Sequence, residues 1–349
     1  MLTATAAPSV GDRPVRMPVP TEDPCVVCGG RARRFVVTGY DRMAPRAESY
    51  PYWRCDACGL IARAPLPAPE QIPELYPADY QRRIESWTPN LDKPVNRLAV
   101  RYFYGVDSVA QPRWVRAAFR VLSGRILRGL YEPYGRNRLL DVGCGAGAQL
   151  ALYQRLGWKT AGIEVDDGAV TLGRQRGLSL HHGSVFDAPY GPEFDVVLLS
   201  HVIEHVHDPV AVLARAAEFL APRGKMIVVT PNVRSLGFAL FGSCWYPLDA
   251  PRHLALFSPS TLRAAAARAR LRVRRLRTAP ESRLLCTSWR LLRMQGTTLP
   301  EDAAERRRRV EQSADGSRRA LSPYVLAPMG LASAAIGRGE LLEAELVAA

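Results

Sequence analysis

Between residues 138 and 280 the apolar positions switch repeatedly between two rhythms. Leu139-Leu140-Asp141-Val142 is a short apolar run, and Ala148, Leu152 and Leu156 follow it at helical spacing. Lys159–Glu164, Leu178–His182, Phe194–Ser200 and Lys225–Thr230 predict further strands. The last two are nearly continuous apolar runs, as in parallel strands buried on both faces. Asp208-Pro209 and Ser258-Pro259 each join a capping side chain to a residue suited to the first helical turn, so each opens a helix, the second reaching about Ala269. Arg272–Thr278 predicts the next strand. Strand and helix alternating in this way predict a doubly wound α/β sheet.

The flanks follow other patterns. Residues 1–22 are rich in Ala, Pro, Thr and Ser without periodicity and predict a disordered tail. Residues 23–64 form a small module with two strand-like pieces, Arg34–Val37 and Tyr50–Arg54. A linker with helices spans 65–111, opened by Pro65-Leu66-Pro67-Ala68-Pro69, and helical periodicity from Pro112 to Leu130 leads into a main domain at 112–280. Residues 281–349 predict an arginine-rich helical extension. Within it Arg306–Arg309 reads as a solvated face, and Leu341–Val347 is a candidate final strand.

Composition changes this picture little. The net charge is +14, yet only three of the 47 basic residues are lysines (Lys93, Lys159, Lys225), a skew that fits arginine bias as well as an anion-seeking surface. Met1–Asp12 holds no basic residue and no long apolar run, unlike a secretory signal. The apolar stretch Leu321–Gly337 is interrupted by Pro323 and Pro328 and is shorter than the ~20 residues of a spanning helix. The expectation is a cytoplasmic protein with reduced thiols.

Reduced thiols give the cysteine pairs a purpose. Cys25-x2-Cys28-Gly29 and Cys55-x2-Cys58-Gly59 are separated by 26 residues, and each ends in the small residue that a tight knuckle needs. Four thiolates suit tetrahedral zinc and fill its coordination sphere, so the expected metal is structural, in a zinc-ribbon-like module.

The main chemistry gathers at Asp141-Val142-Gly143-Cys144-Gly145-Ala146-Gly147, between a strand and a helix. Gly143, Gly145 and Gly147 let the backbone turn sharply and let a ligand approach closely. Glu164 closes the next strand, where it can accept two ribose hydroxyls. A nicotinamide dinucleotide site is the nearest alternative, since Gly143, Gly145 and Ala148 fit its fingerprint. Asp141 argues against it: a carboxylate is repelled by a pyrophosphate but suits an amino-acid ammonium.

Residues 138–280 resemble the class I S-adenosylmethionine-dependent methyltransferases, most nearly the ubiquinone-biosynthesis-type O-methyltransferases. The matching residues are Asp141–Gly147, Gly162-Ile163-Glu164, Gly183–Pro189, Phe194–Val197, His201–His205 and Pro222–Asn232. The resemblance implies a Rossmann-like fold in which the glycine loop holds the methionine part and Glu164 the ribose, with Val165 and Ser200 also in the cofactor site. Ser184, Val185 and Asp187 would surround the adenine, with Ser184 standing where the family often has Asp. Ahead of such a domain, a zinc knuckle pair resembles sugar C-methyltransferases and also a ribosomal-RNA guanine methyltransferase type. The Trp53–Leu60 stretch is more like the former.

His201, Glu204 and His205 follow the fourth strand, at the edge where ligands bind in open α/β sheets. A hydroxyl or enolisable carbon must lose a proton during methyl transfer, and either histidine or Glu204 can accept it. The sequence suggests no third ligand that would make the histidine pair a metal site. Trp245, Tyr246, Arg252 and His253 lie in a loop at the same edge and are candidate substrate contacts. The expected function is methyl transfer to oxygen or carbon of a small-molecule or glycan acceptor. The alternatives are an RNA methyltransferase gripping nucleic acid through arginines, and a non-catalytic zinc-ribbon binding protein.

Overall fold

The computed structural model describes residues 23–42, 48–76, 134–294 and 325–349. The expected tail, most of the 65–111 linker, the helix at 112–130 and Arg306–Arg309 lie outside them.

The N-terminal module contributes β1 (Arg33–Tyr40), β2 (Ser49–Cys55) and β3 (Ile61–Arg63), paired antiparallel in that order. Short 3-10 turns at Pro69–Gln71 and Pro73–Leu75 follow. The main part begins with β4 (Arg138–Val142), α1 (Ala148–Arg155), β5 (Lys159–Glu164), α2 (Asp167–Gln175), β6 (Leu180–His182), β7 (Phe194–Ser200), α3 (Pro209–Ala217) and β8 (Leu220–Pro231). It continues with α4 (Leu236–Phe241), β9 (Ala255–Leu256), α5 (Pro259–Arg268), β10 (Leu271–Ala279), α6 (Ser282–Met294), α7 (Ala327–Ala335) and β11 (Leu341–Ala348).

Seven strands form one sheet in the order β10-β11-β8-β7-β4-β5-β6. The pairs from β6 to β8 are parallel, whereas β11 runs antiparallel to both β8 and β10. The chain therefore winds outward from β4 to β6, returns to β7 on the other side of β4, and leaves a crevice at the reversal. Successive side chains alternate faces: Leu140, Val197, Leu199, Met226 and Val228 pack in one core, while Leu139, Val196, Leu198, Ile227 and Val229 pack in the other. That double burial explains the continuous apolar runs of β7 and β8.

The helix starts lie where the sequence puts them. Asp208 Oδ1 accepts from Ala211 N at 2.9 Å, and Ser258 Oγ from Thr261 N at 3.2 Å. The expected domain edge at 280 does not hold, because β11 lies between β8 and β10 and its Leu342 and Leu346 are fully buried. The sheet needs residues 341–348.

The N-terminal module is not a separate body either. β9, from the main part, pairs antiparallel with β3 through Ile61↔Leu256 and Ala62↔Ala255, making a four-stranded sheet with β1 and β2. Cys25, Val27, Cys55 and Leu60 share a core with Leu213, Phe257 and Leu262.

Candidate active site

The glycine loop leaves β4 at the reversal of strand order. Gly143, Gly145 and Gly147 have φ of +70°, +54° and +75°, a region that side chains resist. A Cβ on Gly143 would also stand 2.8 Å from Val202 Cγ2, so the loop and the turn after β7 fit closely together. Gly143 N and Cys144 N both donate to the Ile163 carbonyl, tying the loop to β5.

Two buried acids face this loop. Glu164 Oε2 accepts from Gly145 N at 2.7 Å, and Oε1 accepts from Val165 N at 2.8 Å and Asp166 N at 3.0 Å. Asp141 is 5% exposed, and its carboxyl has no hydrogen bond or ion pair to any described residue. Burial, with Glu164 nearby, pushes its pKa up to about 8. A buried acid without a partner is a ready seat for a cationic group. Ser200 ends β7 at the same edge.

On the far side of β5, Gly183 N donates to the Glu164 carbonyl at 2.9 Å and leads the turn after β6. Ser184 Oγ lies 3.3 Å from Asp187 Oδ1 and accepts from Phe186 N, while His181 Nε2 lies 3.1 Å from Asp187. The His181 hydrogen bond holds the Asp187 carboxyl below its usual range. Val185 is buried, but Val165 and Phe186 are 69% and 56% exposed. These two apolar side chains, on the turns after β5 and β6, suit a flat heterocycle.

The turn after β7 holds the expected polar residues. Glu204 is fully buried; Oε1 lies 3.0 Å from His201 Nδ1 and Oε2 accepts from Thr230 Oγ1 at 2.8 Å. Burial works against its charge, but His201, with His253 and His205, overrules it and lowers the pKa to about 2. His205 Nδ1 lies 3.0 Å from Tyr76 Oη and 3.2 Å from the Arg252 carbonyl, and its ring meets His253 edge-on at 4.5 Å. Burial and the His253 charge pull His205 down to about 4, so it is neutral at pH 7.

Glu204, His205 and His253 also bring one ligand-type atom each within 4.8 Å of one another. His201 is not in this trio, and His253, expected as a substrate contact, stands beside His205 instead. Each Glu204 oxygen already accepts one hydrogen bond, from His201 and Thr230, and among the described residues the trio is joined by ring contact and charge rather than by hydrogen bonds.

The loop between β8 and β9 corrects three expected substrate contacts. Trp245 is fully buried and donates Nε1 to Glu340 at 2.8 Å, so it offers no face to a ligand. Arg252 is 1% exposed: Nη1 reaches Asp41 Oδ1 and the Leu75 carbonyl at 3.1 Å each, and Nη2 reaches Asp249 Oδ1 at 2.7 Å. It joins the module to the loop. His253 donates Nδ1 to the Pro247 carbonyl at 2.7 Å, and its own carbonyl accepts from Tyr52 Oη at 2.7 Å. Tyr246 is half-buried, its N donating to Ser288 Oγ on α6. Tyr76, which sequence reasoning missed, enters instead through the connector; no periodicity or motif marks it.

The four cysteines converge. Cys25 Sγ lies 3.6 Å from Cys58 Sγ, and Cys28 Sγ 3.5 Å from Cys55 Sγ. Tetrahedral zinc with bonds of about 2.3 Å sets its sulfurs ~3.8 Å apart, so the cluster has the size for that ion. The two knuckles repeat one pattern: Gly29 N donates to Cys25 O and Gly59 N to Cys55 O, at φ of +76° and +82°.

Comparisons agree with this geometry. A family described as a methyltransferase domain matches residues 114–276. A ubiquinone biosynthesis O-methyltransferase of Chelativorans sp. is 31% identical over 202 residues, covering 54% of this chain and 76% of that protein. One from Brucella anthropi is 31% identical and covers 41% and 62%. The chain spans about half the length of several others, such as that of Ruegeria pomeroyi at 50%. Among solved structures, an S-adenosylmethionine-dependent methyltransferase from Archaeoglobus fulgidus overlaps at a TM-score of 0.41 and 18% identity, covering 65% of this chain and 93% of that one. The chain belongs to the class I S-adenosylmethionine-dependent methyltransferases.

Proposed function

We propose that the protein transfers the methyl group of S-adenosylmethionine to oxygen or carbon of a small-molecule or glycan acceptor, beside a structural zinc held by Cys25, Cys28, Cys55 and Cys58. The observation that carries the reading is Asp141, a buried and unpartnered carboxyl next to a glycine loop whose other acid, Glu164, is already oriented by three backbone N–H groups.

Bound there, the cofactor supplies an electrophilic methyl on a good leaving group. Asp141 would take the ammonium and Glu164 the ribose hydroxyls, while Val165, Phe186 and Val185 would enclose the base and Ser184 and Asp187 flank it. The task left to the protein is alignment, shielding and removal of the acceptor's proton. Glu204, His201 and His205 supply the polar wall for that step.

Two features favour a small acceptor over nucleic acid. Three arginines of the described surface are engaged locally, Arg274 with Glu345 at 3.0 Å, Arg34 with Asp56 at 2.8 Å, and Arg277 with Glu343. The cysteine module spends its β3 edge on β9 rather than presenting it to a polymer. The test is transfer of labelled methyl to three offered acceptors: a catechol, a keto-sugar nucleotide and ribosomal RNA. Label on either small acceptor supports the reading, and label on RNA alone overturns it.

A further inference from the structure

We infer that His201, oriented by Glu204, is the group that takes the acceptor's proton, and that His205 is a positioning residue. The inference rests on the methyl-transfer reading and deepens it. The sequence treats the two histidines alike, as neighbours one helical turn apart. The structure separates them.

His201 sits first after β7 with φ of +57°, a left-handed conformation that a non-glycine residue adopts only when its surroundings hold it there. Three contacts do so. His201 N donates to the Val229 carbonyl at 2.8 Å, Nδ1 lies 3.0 Å from Glu204 Oε1, and the adjoining Val202 lies against Gly143. The last contact matters most. It places the His201 turn directly on the loop expected to hold the methionine part, beside the end of the cofactor that reacts.

The imidazole is set by its carboxylate. Glu204 is 0% exposed and is itself fixed by Thr230, so its Oε1 can only accept, and His201 Nδ1 must carry the proton. The basic lone pair then lies on Nε2. That nitrogen bonds to no described residue, and the His201 side chain is 38% exposed. A buried carboxylate fixing the tautomer of a partly open imidazole is the arrangement used elsewhere to hold a base ready and stabilise its charged form.

His205 is also half-buried and bonded through Nδ1, but its partners come from the connector and the loop rather than from a buried carboxylate. Tyr76 Oη and the Arg252 carbonyl occupy Nδ1, and the ring packs against His253. It braces the connector and the loop against the site. In the reaction the acceptor's O–H or C–H proton passes to His201 Nε2. The acceptor's electron pair forms the new bond to the methyl carbon, and the C–S bond breaks with its electrons to sulfur. The imidazolium then returns its proton to solvent.

The test uses full-length protein with zinc, labelled with 15N-histidine and saturated with S-adenosylhomocysteine, the six histidines being assigned by single substitutions. Long-range 1H–15N spectra report each tautomer. His201 is expected with Nδ1 protonated and Nε2 bare, and Glu204→Leu, which removes the acceptor, should abolish that preference while S-adenosylhomocysteine still binds. Nε2–H on His201 in the parent protein, or an unchanged tautomer in Glu204→Leu, would overturn the assignment. Kinetics with an acceptor that the parent protein methylates give the second reading. His201→Ala should slow transfer by roughly 10²–10⁴-fold, and millimolar imidazole should restore part of it. His205→Ala should show no such rescue, since its ring holds Tyr76 and the Arg252 carbonyl rather than the acceptor's proton. Transfer within threefold of the parent in His201→Ala, or rescue of His205→Ala alone, would overturn it. If the parent methylates none of the acceptors, the functional reading fails, while the tautomer spectra still decide the dyad.

Discussion

Tyr76 Oη lies 3.0 Å from His205 Nδ1, joining residues 129 positions apart. The connector after the cysteine module therefore ends inside the polar cluster of the main part. Tyr76→Phe removes that hydrogen bond without changing the ring. A net loss of about 1 kcal/mol per bond predicts a three- to tenfold fall in kcat, with S-adenosylmethionine affinity unchanged. Steady-state kinetics and calorimetry check the two halves separately.

The cysteine cluster should act through the same link. Cys55→Ser with Cys58→Ser should lower zinc from one ion per chain to none and unfold residues 23–64, because binding and folding of such units are coupled. With the module go Tyr76, Asp41 and the strand that pairs with β9. Turnover should collapse, while S-adenosylhomocysteine still binds at β4 and β5. Metal analysis with calorimetry tests this, and loss of cofactor binding would contradict it.

Asp41→Ala should destabilise the protein at the joint. Arg252 and Asp41 are both fully buried, and Asp249 remains to hold the guanidinium after the substitution. Removing one partner of a buried pair costs about 3–5 kcal/mol, and the surviving Asp249 places the expected loss near 3. Urea unfolding checks the figure.

Cofactor affinity should depend on pH through Asp141. Its folded pKa of about 8 lies above the unfolded value, so near neutrality the empty site holds a proton for much of the time. An ammonium group favours the ionised acid, so binding expels that proton. Affinity should weaken as pH falls from 8.5 to 6.5. Without ligand the sign for stability is the reverse: the raised pKa makes this group's contribution less favourable as pH climbs from ~4 to 8. Calorimetry of S-adenosylhomocysteine in buffers of different ionisation enthalpy should show proton release at pH 7. Proton uptake, or none, would contradict the assignment.

Much of this was legible in the chain. Double burial of β7 and β8 wrote itself as unbroken apolar runs, and the Asp208 and Ser258 caps announced their helices. The glycine loop and Glu164 are local to one strand–helix–strand unit, so spacing alone could place them. Trp245 and Arg252 misled because residue type signals a capacity to bind, while burial decides whether a ligand or Glu340 and Asp41 receive it. Tyr76 and His253 enter through contacts distant in sequence, and β11 joins the sheet after a long excursion. Periodicity carries no record of such pairings.

The most direct measurement of the central claim is calorimetric titration of the purified protein with S-adenosylhomocysteine and, separately, with NAD. The account predicts micromolar binding of S-adenosylhomocysteine, none of NAD, and weakening by roughly 1–3 kcal/mol in Glu164→Ala through loss of a charged hydrogen-bond acceptor. Tight NAD binding with no response to S-adenosylhomocysteine would contradict it.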